Sequence, residues 1–113
     1  MPGFRPERII VHPSVQPVYA RLEGDANRGR KEAAAIWRSF QRALSRIRVD
    51  GQWGEVIPRI PAYFLRKYDV PNLYCVDLAF FHRAFYTIFH RDVVFLDLVG
   101  HDRYSKWSTG RGR

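Results

Sequence analysis

The sequence predicts an α+β fold: an N-terminal strand and a helical hairpin packed on a small, mainly antiparallel sheet. Three observations predict it. Residues 27–48 carry apolar side chains at helix spacing. Three strand-like runs follow in quick succession between residues 73 and 99. The chain has 113 residues, a length that suits one domain with one core. We read 1–113 as that single domain, with 1–4 and 108–113 as flexible termini.

The elements follow in order. Arg8-Ile9-Ile10-Val11-His12 is β-branched and stops at Pro13, which predicts a strand over about residues 7–12. Pro17 sits where a helix can begin, with Ser14 or Gln16 near its cap. That short helix ends near Gly24 and Asp25. In the next, Ala33, Ile36, Trp37, Phe40, Ala43, Leu44 and Ile47 recur at i, i+3, i+4 and i+7. Asp25 or Asn27 can cap its start, and Gly51 ends it. Pro58, Pro61 and Pro71 forbid a long helix or central strand in the connection that follows. Residues 62–68 there read equally as a helical turn or a short strand. Tyr74, Val76 and Leu78 alternate with Leu73, Cys75 and Asp77, and residues 83–89 alternate likewise. The short loops between the three runs imply antiparallel neighbours. The run 93–99 is apolar except for Asp97, which predicts a central strand buried on both faces. With the helices on one face, the other is expected to stay partly open.

Composition narrows the class. Hydrophobic residues make up 46% of the chain, too many for global disorder. No apolar run approaches the roughly 20 residues of a membrane helix, and charges at Arg5, Glu7 and Arg8 interrupt any signal-peptide core. Cys75 stands alone and reads as a buried thiol. These features together point to the cytoplasm. The net charge is +8, of which residues 1–48 carry +6 and residues 49–113 carry +2. A basic domain attracts polyanions, chiefly nucleic acid; the same arginines can equally serve only to solubilise the surface.

Two places can carry chemistry. Arg83 stands among apolar strand residues, where a guanidinium is expensive unless exposed or paired. It can fork two phosphate oxygens, or simply pair with Asp77 on the neighbouring strand. Residues 100–107 then gather His101, Arg103, Tyr104 and Lys106 after the last strand. An imidazole exchanges a proton near neutral pH, cations stabilise a phosphorane, and a phenol stacks on a base. The plain alternative is a charged C-terminal turn. RNA cleavage needs little more, because the ribose 2′-hydroxyl is its own nucleophile and no metal is required. Arg38, Arg42 and Arg46 form one stripe on the long helix, either a phosphate track or a solvated face. No HExxH or CxxC spacing suggests a metal, no Gly-rich motif suggests a nucleotide cofactor, and the aspartates are scattered.

Three stretches carry a resemblance: Asn72-Leu73-Tyr74-Cys75-Val76-Asp77-Leu78, His82-Arg83-Ala84-Phe85-Tyr86-Thr87-Ile88, and Val94 through Tyr104 ending in His101-Asp102-Arg103-Tyr104. In order and spacing they resemble the RelE/ParE toxin superfamily over residues 51–107. The resemblance implies a compact RelE-like α+β fold and a toxin of a type II toxin–antitoxin pair. RelE-like members cut mRNA on the ribosome without metal, so it implies an endoribonuclease and a cognate antitoxin as partner. It implies Arg83, His101, Arg103 and Tyr104 as catalytic residues. Arg66, Lys67 and Lys106 are then RNA-binding. ParE-like members of the same fold inhibit DNA gyrase instead, and a non-catalytic RNA-binding domain is a further alternative. The chain departs from the family's usual pattern at His82, where an aromatic commonly stands, and in its Gly/Arg tail.

Overall fold

A computed structural model describes residues 3–110 of the chain. Its elements are β1 (Arg8–Val11), a 3-10 turn (Pro13–Val15), α1 (Gln16–Asn27), α2 (Lys31–Ile47), β2 (Glu55–Val56), α3 (Ala62–Tyr68), β3 (Tyr74–Leu78), β4 (His82–Phe89), β5 (Asp92–Gly100) and α4 (His101–Gly110). The strands form one sheet in the order β1-β5-β4-β3-β2. β1 runs parallel to β5, and every other pairing is antiparallel. The α+β class and the mainly antiparallel sheet are as the sequence predicts.

The helical hairpin covers one face because of its pattern. Ile36, Phe40, Ala43 and Ile47 of α2 are buried, as is Tyr19 of α1. They meet Val76, Ala84, Tyr86, Val93 and Phe95, the inward alternation of β3, β4 and β5. Phe40 sits at the centre, its ring 5.3 Å from Tyr19 and 5.0 Å from Phe95. The Tyr19 hydroxyl donates to the Leu96 carbonyl at 2.6 Å and fastens α1 to β5. Asn72 fastens the entry to β3: its amide donates to the Ile88 carbonyl, and its oxygen accepts from Thr87 and the Ile88 amide. Gly54 passes so close to Tyr86 that a Cβ there would lie 2.7 Å from the Tyr86 hydroxyl, which accepts the Gly54 N–H.

Several expectations need correction. α1 runs on through Gly24 to Asn27, and the hairpin turns at Gly29, whose φ of +83° suits glycine. Asp25 and Asn27 are therefore spent inside α1 and cannot cap α2, which starts after Arg30 without a side-chain cap. Neither Ser14 nor Gln16 caps α1; the Gln16 amide reaches back to the Val11 carbonyl. Residues 62–68 are helical. β2 arises in the connection where no strand was expected. β5 is interior, between β1 and β4, and buried on both faces as expected, with Val93 and Phe95 on one and Leu96 on the other; the middle of the five strands is β4.

The sheet face expected to stay partly open carries α3 and α4, which cover part of it and leave a cleft beside Arg83. The charged stretch after Gly100 is a helix, not a turn, because Tyr104 and Trp107 lie three residues apart and share one face. They pack with Phe64 on Cys75, Phe85, Leu96 and Val99. Phe4 O accepts the Gly51 N–H near the N-terminus, and α4 continues through Gly110. The flexible ends expected at 1–2 and 111–113 lie outside the described residues. Among the described residues, no helix is long and apolar enough to cross a membrane.

We predict that Phe40→Ala, which empties the junction between α1, α2 and β5, lowers the unfolding free energy by about 3–5 kcal/mol in urea denaturation.

Candidate functional site

Alternation along β4 decides which side chains leave the helical hairpin. His82, Ala84 and Tyr86 take one face; Arg83, Phe85 and Thr87 take the other, under α3 and α4. Arg83 is opposite Asp77 in the β3–β4 register. Its Nε donates to Asp77 Oδ1 at 2.8 Å, so the simple ion-pair reading of this arginine is realised. The same guanidinium lies over the Tyr104 ring, 4.6 Å from its centroid. His101 stands edge-on to Tyr104, with ring centroids 5.2 Å apart.

Arg83, His101 and Tyr104 line one cleft of ≈ 380 Å³. Ile57, Pro58, Arg59 and Pro61 form one wall. Arg83 and Phe85 are contributed by β4, and His101, Tyr104, Ser105 and Trp107 by α4. Arg83 is mostly sheltered, with 24% of its side chain exposed, while His101 keeps 58% and can meet a ligand from solvent.

α4 owes its place to a buried carboxylate. Between the pairs Ala84↔Leu98 and Tyr86↔Phe95, β4 supplies one residue and β5 supplies two. This β-bulge turns Asp97 to the same side as Leu96. Asp97 is only 6% exposed. The Tyr63 hydroxyl donates to it at 2.5 Å, the Tyr68 hydroxyl donates to its other oxygen, and Lys67 Nζ lies 3.7 Å away. Burial, reinforced by the Asp97 charge, pushes the Tyr68 hydroxyl up to about 12 and raises Tyr63 as well. Partial burial opposes the Lys67 charge, but the Tyr63 and Tyr68 oxygens and Asp97 outweigh it and raise the ammonium's pKa. Tyr63, so held, stacks on Trp107 at 4.6 Å and 15°. Cys75 lies beneath, buried, its thiol pushed up to about 11 by burial.

The residues singled out in the sequence thus divide. Arg83, His101 and Tyr104 converge. Arg103 does not line the cleft; it is exposed, with its guanidinium 5.9 Å from the Trp107 ring centroid. Lys106 is exposed on α4 and Arg66 on α3. Lys67 is engaged with Asp97, Tyr63 and Tyr68. His82 alternates away from Arg83 and lines a second cleft with Pro17, Arg21 and Leu22 of α1. Arg38, Arg42 and Arg46 are exposed on α2, which packs on the sheet face opposite the first cleft.

Arg59 escaped the sequence reading because a Pro-punctuated connection has no periodicity to reveal what it faces. Trp107 escaped because residues 100–107 show charge before periodicity; its spacing from Tyr104 was the available signal. A further local feature adjoins the cleft. Phe80 and Phe81 form the β3–β4 turn with φ of +56° and +55°, a backbone that favours Asn and Gly. For L-residues with a Cβ, that conformation costs roughly 1–2 kcal/mol each. The chain matches no protein-family model, no curated protein and no solved structure.

The raised Tyr68 hydroxyl gives an alkaline signature with a definite sign. The unfolded chain loses this proton near pH 10 and the folded protein only near 12, so the contribution is complete below pH 10 and is lost as pH rises towards 12. Urea unfolding at pH 8, 10 and 11 is expected to show this decline, reduced in Tyr68→Phe. At pH 8 the same variant, one donor short at Asp97, is expected to lose about 1–3 kcal/mol.

Proposed function

We propose that this chain is a RelE-like toxin of a type II toxin–antitoxin pair, an endoribonuclease that cuts mRNA on the ribosome in the cytoplasm without needing a metal. The observation that carries this reading is the convergence of Arg83, His101 and Tyr104 on one cleft. An α+β fold with a mainly antiparallel sheet, as the resemblance implies, supports it.

The chemistry follows from the groups present. The substrate brings its own nucleophile, the 2′-hydroxyl. His101 takes that proton or protonates the 5′-oxygen leaving group, and its exposure lets RNA reach it. Arg83, held at Nε by Asp77, turns its remaining N–H groups to the phosphate. Tyr104 supports the guanidinium from below and orients the ribose or base. Arg59, on the facing wall, supplies the second cation in place of Arg103. The antitoxin in this reading is a chain that covers the cleft and holds the toxin silent.

On induction in a bacterial host, translation is expected to arrest with cuts in ribosome-bound mRNA. Arg83→Ala and His101→Ala should each slow cleavage about 10²–10³-fold. Parent-like toxicity of the Arg83→Ala, His101→Ala double variant would overturn the assignment. DNA-damage signalling with intact mRNA would instead mark a gyrase poison.

A further inference from the structure

We propose that Phe80 and Phe81 form a stacking platform for unpaired bases of single-stranded RNA, extending the Arg83–His101–Tyr104 cleft beyond the scissile phosphate. The proposal rests on RNA being the ligand of that cleft.

Exposure is the first ground. Phe80 is 54% exposed and Phe81 79%, the one pair of sequence neighbours among the large exposed hydrophobics of the described residues. Two aromatic rings held in water at a hairpin tip contribute little to a core. Backbone conformation is the second. Both residues have positive φ, where Asn-Gly would close the turn without strain, so the local sequence opposes the local backbone. Strain of this kind tends to collect at sites that bind or react.

Continuity is the third ground. Phe80, Phe81, Asp77, Arg83 and Tyr104 share one shallow depression, and Arg83 and Tyr104 also line the main cleft. The Phe81 ring stands 6.5 Å from that of His101. A strand whose phosphate sits at Arg83 would therefore carry its next base towards the two rings. Aromatic faces beside a cation suit this ligand: any base can stack, while the cation meets the backbone. Arg83 and His101 beside the rings favour RNA over an apolar peptide.

The test uses the full-length protein and a labelled oligouridine, 2′-O-methylated so that it cannot be cut, beside its abasic counterpart. Anisotropy should show tighter binding of the base-bearing strand. Replacing the turn by Phe80→Asn with Phe81→Gly should raise the thermal midpoint, because the turn is relieved. It should nevertheless weaken binding of the base-bearing strand about tenfold or more and leave the abasic strand unaffected. Phe81→Trp, which keeps an aromatic face, should bind as the parent does.

The platform is overturned if the turn variant binds the oligouridine as tightly as the parent, or if the parent does not prefer bases over abasic sugar. It is also overturned if the variant changes only self-association in sedimentation, which would mark a protein contact. Its fate is separable from the nuclease reading. Phe-dependent binding without mRNA cleavage keeps the platform and removes the nuclease. Arg83-dependent cleavage with parent-like binding by the turn variant does the reverse.

Discussion

Asp97 is the one charged side chain among the buried residues described, and donors from α3 converge on it. Removing a carboxylate from water costs several kcal/mol unless its oxygens are satisfied. Tyr63 and Tyr68 satisfy them, and Lys67 balances the charge from nearby. These donors lie on one short helix of seven residues, far too short to be stable alone. The carboxylate therefore fixes where α3 sits, and α3 in turn fixes α4. Tyr63, bound to Asp97 through its hydroxyl, offers its ring to Trp107. One helical turn earlier, Tyr104 then lies against Arg83. The cleft is in this sense built outward from a polar contact in the core.

The two faces of the sheet do different work. On the helical-hairpin side, aromatic and branched side chains interdigitate around Phe40, Phe95 and Tyr86, and the polar contacts serve packing. On the other side the cover is incomplete. α3 and α4 close over Phe85 and Leu96, and at the border of that cover the Arg83 guanidinium lies between the Asp77 carboxylate and the Tyr104 ring of α4. An arginine held on both sides loses little conformational freedom when a third group binds. Asp77 is 72% exposed, so its pair with Arg83 is partly screened by water. A pair of that kind restrains the cation without consuming it.

The distribution of charge also separates structure from site. Most of the excess positive charge lies in residues 1–48, and the arginine stripe of α2 is on the far side of the sheet from the cleft. Bulk charge can draw a polyanion from a distance, but it selects no position on it. The cations that line the cleft are Arg83, held by Asp77, and Arg59 on the facing wall.

What the sequence determined by itself is the set of periodic elements. α2 and the strands β3, β4 and β5 were legible because each buries one face, and burial repeats with the period of the backbone. The same alternation was enough to mark Arg83 as a charge in an apolar strand, and the end of β5 was enough to mark His101 and Tyr104. Tertiary structure alone decided the rest. The parallel pairing of β1 with β5 joins residues more than eighty positions apart, and no local pattern records it. The bulge that buries Asp97 shows only in the register of two strands. Arg59 enters the cleft because the loop it sits on packs there, and Arg103 leaves it because α4 is a helix whose apolar face belongs to Tyr104 and Trp107. Local sequence sets which side chains must be hidden; which neighbours hide them depends on contacts that form only when the whole chain is assembled.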